Sequence, residues 1–285
     1  MHSVLLRLGE FQLHSYGLCL ALGILCAYGV LVRLGRSRGF SSDRLANLLA
    51  LLVVCGLAGA RTFFVAEHWA DYRADPASAL RIWEGGLMFY GSIVFGAAAL
   101  VAHCRLARTP VLPLLDLFAV AVPVGQAFGR VGCLLNGCCY GRPSDSCLAV
   151  TYPRWSIPCI EQIRAGLLPE DAARSLPVLP SQLFESAGCV LLFLALFWLY
   201  RRLNPPAAVS RTRDGLVVAA YLAGYGVLRF LVETTRADER AHPFGGPLTI
   251  SQAISVGCLL LAAALVALAL LRARAAAIAT DGPSR

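Results

Sequence analysis

Residues 112–130 read LPLLDLFAVAVPVGQAFGR, an apolar run of membrane-spanning length that ends on Arg130. A helix needs about 20 mostly apolar residues to cross roughly 30 Å of hydrocarbon. An ionised guanidinium beside hydrocarbon costs about 2.5 kcal/mol or more, so such an arginine usually faces a polar cavity and has a partner. Arg61 and Arg229 lie in the same way at the edges of two other apolar runs. The three arginines therefore indicate a site for an anionic ligand inside a membrane bundle.

The same kind of run recurs along the chain. Of its 285 residues, 58% are apolar and 15% are charged, which is typical of an integral membrane protein. The pattern predicts an all-α fold of seven transmembrane helices, at residues 16–32, 45–65, 87–104, 112–128, 183–200, 216–231 and 250–271. We predict one integral membrane domain over residues 1–285, with an extracytoplasmic loop region at residues 130–181 between the fourth and fifth helices.

The distribution of charge predicts an orientation. All 25 basic residues are arginine, and they concentrate after the first, third, fifth and seventh predicted helices, as in short cytoplasmic loops. The N-terminus is therefore predicted outside and the C-terminus in the cytoplasm, with the first helix as a retained anchor. The net charge of +8 is dispersed and forms no single basic stripe. We therefore predict a lipid bilayer as the partner, and no nucleic acid.

The segment least like a spanning helix is residues 129–142, GRVGCLLNGCCYGR. Each glycine inside a helix costs about 1 kcal/mol relative to alanine, whereas a glycine-rich turn lets backbone amides approach a ligand. With Arg130 and Arg142, such a turn would form an anion cradle. The alternative is a helix terminus followed by an ordinary outer loop.

Three further clusters have a similar character: WEGGLMFYG at residues 83–91, PSQLFE at residues 180–185 and GYGVLRFLVETTR at residues 224–236. Glu185 is predicted to lie one turn inside the fifth helix. Arg229 and Glu233 are four residues apart and share one helix face. A structural ion pair is the alternative to a ligand site for those two residues.

Together with LHSYG at residues 13–17, these blocks resemble the signature blocks of the prolipoprotein diacylglyceryl transferase family. The resemblance covers almost the whole chain in the same order, including the seven-helix layout. It implies transfer of a diacylglyceryl group from phosphatidylglycerol to the lipobox cysteine thiol of a prolipoprotein signal peptide, with release of glycerol phosphate. It also implies a place in the bacterial inner (cytoplasmic) membrane, and a reaction without a cofactor.

The resemblance assigns Arg130 and Arg229 as the essential catalytic arginines around the lipid headgroup. It assigns the surrounding substrate site to Tyr16, Arg61, Gly86, Asn136, Gly141, Glu233 and Arg236. Negative charge accumulates on the leaving phosphate, so arginines aimed at that phosphate act where charge develops. The attacking thiol, with a reference pKa of about 8.5, also needs help to ionise.

The chain departs from the family pattern where a proton must be removed. The family usually has a histidine before its second glycine pair, and this chain has Tyr90-Gly91-Ser92. We predict Tyr90 as the catalytic base if a nearby arginine favours its phenolate form, with lipid binding as the alternative role. His14 and His242 are the other outward-side candidates, and both are more typical of loop or interface residues.

The second departure is a group of cysteines. Cys133 and Cys138, with Cys139 adjacent, stand where the family commonly has asparagine and an acidic residue. They would be small apolar substitutions, or form a disulfide with Cys147 or Cys159, or bind a metal. Disulfides persist in an oxidising outer compartment. Metal is the least supported alternative, because this spacing without a nearby histidine is no recognised zinc motif. We therefore predict a disulfide or thiol site and no metal.

Two other functions remain compatible with the sequence. A paralogous lipid transferase would use phosphatidylglycerol with a different acceptor, as the two departures suggest. A protein of another class would be a non-catalytic lipid-binding or thiol-redox membrane protein. Retention of Arg130, Asn136, Arg229 and Glu233 favours catalysis over the second of these.

Overall fold

The computed structural model describes residues 4–8, 11–204, 213–237 and 248–280. Over these residues it contains seven helices long and apolar enough to cross a membrane, which confirms the predicted all-α, multi-pass membrane fold. The long helices are α1 Ser15–Gly35, α2 Ser42–Glu67, α4 Phe89–Leu106, α5 Val111–Asn136, α7 Ser181–Leu203, α8 Leu216–Glu233 and α9 Ile250–Thr280. Two short helices, α3 Trp69–Tyr72 and α6 Ile157–Arg164, lie in the connecting segments.

A small β-hairpin precedes the first helix. Strand β1, Val4–Leu8, pairs antiparallel with β2, Phe11–His14. The segment between α5 and α7 is held by short antiparallel bridges and by a cluster of three buried side chains, Tyr140, Tyr152 and Val178. Among the described residues, the paired extended backbone therefore lies in the hairpin before α1 and in the segment between α5 and α7, with one bridge to Arg236 after α8.

The chain divides into two compact units, one of Met1–Leu31 with Leu115–Arg285 and one of Val32–Leu114. In the second unit, α2 and α4 cross at Gly59 and Gly91. A Cβ on Gly91 would lie 2.1 Å from the Gly59 carbonyl oxygen, and one on Gly59 would lie 2.3 Å from that of Gly91. Small residues let membrane helices approach closely and pack by van der Waals contact. The crossing therefore requires glycine on both helices.

In the first unit, α8 packs against both α7 and α9. A Cβ on Gly188 of α7 would lie 2.3 Å from the Leu228 side chain, and one on Gly226 of α8 would lie 3.2 Å from the Ser255 carbonyl of α9. Leu228 precedes Arg229 on α8. These close approaches therefore bring the polar end of α8 against its neighbours.

A buried carboxylate joins the starts of α5 and α8. Asp116 is 1% exposed and accepts hydrogen bonds at 2.8 Å from the backbone N–H groups of Gly215 and Val218. A carboxylate at this position caps the helix and complements its dipole. Arg130 and Arg229 then lie about 21 Å and 17 Å further along their helices, at 1.5 Å per residue. The capping contact therefore sets both arginines at a similar depth.

Helix α5 continues beyond its predicted end. Residues 129–136 are helical, so the predicted outer loop and its glycine-rich turn begin only at Gly137, where φ is +78°. At Gly132 a Cβ would lie 3.3 Å from Tyr16 Cα. This glycine therefore permits close packing of α1 and α5, a use that the sequence alone does not distinguish from a turn.

Candidate active site

The two predicted catalytic arginines meet at one carboxylate. Glu185 of α7 is 1% exposed, and its Oε2 lies 3.0 Å from Arg130 Nε and 3.8 Å from Arg229 Nη1. The Tyr225 hydroxyl donates a hydrogen bond to the other oxygen, Oε1, at 3.0 Å. Side chains from α5, α7 and α8 therefore converge on Glu185, as a buried charge requires.

A second carboxylate extends this network toward α9. Arg229 Nη2 lies 2.8 Å from Glu233 Oε2 and donates to Ser251 Oγ at 3.0 Å. The Thr249 hydroxyl donates to Glu233 Oε1 at 2.9 Å. The ion pair that the i,i+4 spacing predicts is thus present. It coexists with the approach of Arg229 to Glu185, so Arg229 lies between two acids.

Arg130 keeps donors that the network does not use. Its Nε contacts Glu185, and within the described part of the chain its two Nη atoms have no hydrogen-bond partner. The side chain is 22% exposed, against 11% for Arg229. A guanidinium presents its N–H groups in a planar fork that matches carboxylate and phosphate oxygens. Arg130 can therefore bind an anion without losing its partner Glu185.

Backbone hydrogen bonds join residues 141–142, at the end of the GRVGCLLNGCCYGR segment, to the residues just before α7 and just after α8. Gly141 N–H donates to the Leu179 carbonyl at 2.9 Å, and Arg142 N–H donates to the Thr235 carbonyl at 2.9 Å. Gly141 also forms an antiparallel β-bridge with Arg236. A Cβ on Gly141 would lie 2.6 Å from the Leu179 oxygen. Three sequence blocks far apart in the chain therefore meet here, and glycine is required at the junction.

The three neighbouring cysteines form a cluster at the end of α5. The sulfur atoms of Cys133, Cys138 and Cys139 all lie within 4.8 Å of one another. Asn136 hydrogen-bonds to Cys138, and the Arg236 guanidinium hydrogen-bonds to Cys139. Two residues that the family resemblance places around the substrate therefore contact the thiols that depart from the family pattern.

All eleven cysteines carry free thiols in the structure. The disulfide alternative, with Cys147 or Cys159 as partner, is therefore absent from it. Cys147 is exposed in the segment between α5 and α6, whereas Cys159 is buried in α6. The cluster makes its contacts with its own members and with nearby polar groups.

Cys139 and Tyr152, which lie outside the spanning helices, have displaced pKa values. Hydrogen bonds with the thiols of Cys133 and Cys138, assisted by the positive charge of Arg236, hold the pKa of Cys139 below its ordinary value. Burial raises the pKa of Tyr152, whose hydroxyl accepts a hydrogen bond from Gln182 at 3.1 Å.

Tyr16 lies at the start of α1 beside this cluster. It is 41% exposed and packs against Gly132. Its hydroxyl interacts electrostatically with Arg130 and with the three cysteines. The structure therefore places this predicted substrate residue beside Arg130 and the three cysteines.

Arg61 has a different environment in the second unit. It is 7% exposed and donates four hydrogen bonds to backbone carbonyls, to Ser78 at 3.0 Å, Ala79 at 2.7 Å, Gly85 at 2.7 Å and Gly86 at 3.1 Å. Because an arginine has five N–H donors, almost all of its capacity is used. Arg61 therefore holds the loop before α4, and its predicted contact with a lipid headgroup stays a prediction.

Gly86 is fixed in that loop by conformation and space. Its φ is +71°, and a Cβ would lie 2.5 Å from the Phe64 ring and 2.8 Å from Arg61 Nη1. A side chain is disfavoured both by the left-handed backbone and by these contacts. The role of Gly86 in the structure is to let the loop close over Arg61.

The candidate bases have few contacts. Tyr90 is the second residue of α4, is 43% exposed and packs edge-on against the Phe89 ring. Among the described residues its hydroxyl has no hydrogen-bond partner. His14 is exposed at the end of β2, and His242 lies outside the described residues. The assignment of Tyr90 as the base therefore stays a prediction.

Sequence reasoning did not assign the residue at the centre of the network. Glu185 carried a signal, an acid one turn inside an apolar helix, but only the fold shows that two arginines share it. Tyr225 lay in a quoted block without a role. Thr249 and Ser251 carried no signal, because uncharged residues at a helix start are common.

The fold and this network define a class of protein, a polytopic membrane protein with a buried arginine–carboxylate site at one end of its helices. The chain belongs to the prolipoprotein diacylglyceryl transferase family, whose sequence profile matches residues 3–268. It is 32% identical over 257 residues to phosphatidylglycerol–prolipoprotein diacylglyceryl transferase 2 of Clostridium perfringens, covering 90% of this chain and 91% of that protein. It is 34% identical over 240 residues to the transferase of Parasynechococcus marenigrum, covering 82% of this chain and 80% of that one.

Proposed function

We propose that this protein transfers the diacylglyceryl group of phosphatidylglycerol to the lipobox cysteine thiol of a prolipoprotein, in the inner (cytoplasmic) membrane of a bacterium. The convergence of Arg130 and Arg229 on Glu185 is the observation that carries the proposal. The names of the relatives state the same two substrates. The distribution of arginines supports an N-terminus outside and a C-terminus in the cytoplasm.

The reaction requires charge stabilisation at one phosphate. The thiolate sulfur attacks the glyceryl carbon that bears the phosphate ester, a C–S bond forms, and the C–O bond breaks. The electrons of the C–O bond leave with glycerol phosphate, which gains one negative charge. Groups that bind this charge more strongly than the substrate's single charge accelerate the step.

The arginine network matches this requirement. The proposed site contains three guanidinium groups, those of Arg130, Arg229 and Arg236. It contains two carboxylates, those of Glu185 and Glu233, so these five groups together carry one net positive charge when all are ionised. A phosphodiester carries one negative charge. The free Nη donors of Arg130 are placed to contact its oxygens, and loss of one such donor commonly lowers the rate about 100- to 1000-fold.

The carboxylates position the arginines. Glu185 accepts from Tyr225 and pairs with both arginines, so their guanidinium groups stay in place before the substrate arrives. Preorganised charges avoid reorganisation at the moment of reaction. Asn136, Gly141 and Tyr16 surround this network as the remaining substrate-site residues of the proposal.

Residues of the second unit complete the proposal. Arg61 and Gly86 form the loop before α4, and Tyr90 occupies the position of the family's histidine. Because Tyr90 is exposed without a hydrogen-bond partner in the described part of the chain, its geometry gives no specific support for a base.

Reconstitution with defined substrates tests the proposed function. The full-length protein in detergent or nanodiscs is incubated with phosphatidylglycerol and a lipobox peptide, and thioether peptide and glycerol phosphate are measured by mass spectrometry. Arg130→Ala and Arg229→Ala should each lose at least about 100-fold in rate, while the exposed control Arg164→Ala should retain it. If lipid is consumed but the peptide mass stays unchanged, the acceptor is different; if neither changes, the protein is not a transferase.

A further inference from the structure

The fold brings three cysteine sulfurs together beside the arginine network. The Sγ atoms of Cys133, Cys138 and Cys139 lie within 4.8 Å of one another. Zinc binds thiolates at about 2.3 Å, so two corners of a zinc tetrahedron lie about 3.8 Å apart. Shifts of about 1 Å therefore suffice to bring the three sulfurs to zinc distances.

The backbone of this cluster is in a special conformation. Cys139 has φ of +62° and Gly137 has φ of +78°. A non-glycine residue in the left-handed region costs about 1 kcal/mol or more, and such residues concentrate at functional sites. In this conformation the adjacent thiols of Cys138 and Cys139 both reach Cys133. The left-handed conformation of Cys139 therefore helps to assemble the three-thiol group.

The surroundings of the cluster suit thiolates and leave one side accessible. Cys133 is buried, whereas Cys138 and Cys139 are half-buried. Arg236 hydrogen-bonds to Cys139, and Arg130 interacts electrostatically with Cys133 and Cys139. The group is thus partly exposed and lies beside Arg130 and Arg236, two residues of the proposed headgroup site.

We propose that Cys133, Cys138 and Cys139 hold a zinc ion whose fourth position receives the lipobox thiol. Three protein ligands with one open position is the arrangement of catalytic zinc sites. The proposal rests on the proposed function and deepens it, because it supplies the thiol activation for which this chain has no histidine at the expected position. Zinc deprotonates a coordinated thiol outright.

The steps balance without a redox partner. Binding of Zn²⁺ releases the three cysteine protons to solvent, and binding of the lipobox thiol as fourth ligand releases its proton. A lone pair of the bound sulfur then forms the C–S bond, while the C–O bond breaks toward the phosphate. The thioether product is a neutral, weaker ligand than the thiolate, so it leaves the zinc and the site reopens.

Zinc suits this cluster better than the alternatives. A disulfide between two of the cysteines would leave one thiol and no means of activating the substrate. Cuprous copper also prefers thiolates, but the three cysteine thiolates would already complete its coordination, and the substrate thiol would have no place as a fourth ligand. The substrate is itself a thiol, so a tetrahedral zinc ion lacking one sulfur is the matching partner.

Metal binding is tested on the full-length protein independently of its activity. Zinc content is measured after purification and after dialysis against limiting zinc, and Co²⁺ replacement is followed by its thiolate charge-transfer absorption. We expect about one ion per chain, the loss of both signals in Cys138→Ser and Cys139→Ser, and full retention in Cys147→Ser, whose thiol is exposed outside the cluster. Absence of zinc and cobalt binding, or binding of copper alone, would overturn the proposal.

The pH dependence of transfer tests the role of the ion. A free thiol with a pKa of about 8.5 is only about 3% ionised at pH 7. Transfer by Cys139→Ser should therefore fall about 30-fold at pH 7 and should recover as the pH approaches 9, whereas the wild-type rate should change little. A loss that is equal at every pH would indicate a structural role and overturn the activation step.

The outcomes separate this inference from the proposed function. If the wild type forms the thioether and Arg130→Ala does not, while Cys138→Ser transfers normally at pH 7, the zinc inference is wrong and the transferase stands. If zinc binds with the expected variants but no thioether forms, the transferase is wrong. A chelator that stops transfer, with recovery on adding Zn²⁺, is the result that supports both.

Discussion

Two arginine sites in this protein, the buried Arg61 and the half-buried pair Arg130 and Arg229, differ in what their guanidinium groups bind. Arg61 gives four hydrogen bonds to backbone carbonyls of one loop. Arg130 and Arg229 share the carboxylate of Glu185, and Arg130 keeps its Nη donors accessible. The backbone carbonyls use nearly all N–H donors of Arg61, so few are left for a ligand. The carboxylate of Glu185 holds Arg130 through Nε alone, so the Nη donors of Arg130 stay available to a ligand. Burial of an arginine is therefore not enough to propose a ligand site. The unused Nη donors of Arg130 are the feature that supports the proposed one.

The largest expected effect is at the shared carboxylate. Glu185→Ala should lower stability by about 3–5 kcal/mol, because it removes a buried carboxylate and leaves two half-buried guanidinium groups without their common partner. Transfer should fall with it. Glu185→Gln keeps an acceptor for the Tyr225 hydroxyl and should be less destabilising. Thermal unfolding in detergent measures both, and equal stability of the wild type and Glu185→Ala would contradict the central role of this residue.

A smaller loss of stability is expected at the other arginine. Arg61→Met removes four hydrogen bonds to backbone carbonyls, at about 1 kcal/mol each in net terms, so stability should fall by about 2–4 kcal/mol. Transfer per folded molecule should fall less than about tenfold, which is below the loss for a transition-state donor. If Arg61→Met instead keeps its stability and loses turnover, Arg61 contacts the headgroup and the contrast between the two sites fails.

The loop that Arg61 holds gives a matched glycine pair. Gly86→Ala should cost about 1–3 kcal/mol, because φ is positive there and the new Cβ would contact Phe64 and Arg61. Gly96→Ala on α4 is the control: nothing lies within 4 Å of its Cβ position, so it should be neutral or slightly stabilising. Unfolding temperatures of the two variants should differ in that order, and a reversed order would show that the loop is not tightly held.

The smallest effect is expected at the exposed tyrosine. Tyr90→Phe should change turnover less than about threefold if a zinc ion ionises the substrate thiol. Lipid binding should also be retained. A loss of turnover above about 100-fold with intact lipid binding would instead make Tyr90 the general base, as the comparison with the family's histidine predicts, and would count against the zinc site.

The sequence predicted the seven helices because apolar runs of spanning length have few other stable states. It also predicted that Arg130 and Arg229 belong to one site, since charges inside a bilayer must find partners. It misjudged the helical state of residues 129–136, because a glycine that serves close helix packing has the same letter as one that serves a turn. Glu185 was visible as an intramembrane acid, yet its two partners lie on different helices.

The cysteine cluster is a feature that the sequence did not predict. The spacing of its cysteines matches no recognised zinc motif, so spacing alone argued against a metal. A left-handed residue at position 139, together with the turn at Gly137, brings the sulfurs together. Backbone conformations of this kind depend on the contacts around them, and single-residue propensities do not report them.

The amino-acid sequence by itself determined the membrane fold and the family and indicated that Arg130 and Arg229 belong together, because hydropathy and charge act locally and can be counted along the chain. The tertiary structure alone decided which carboxylate the arginines share, which arginine is used up by a loop, and that three thiols meet. Those outcomes depend on distances between helices, which are set by small residues packing at a few crossings far apart in the chain.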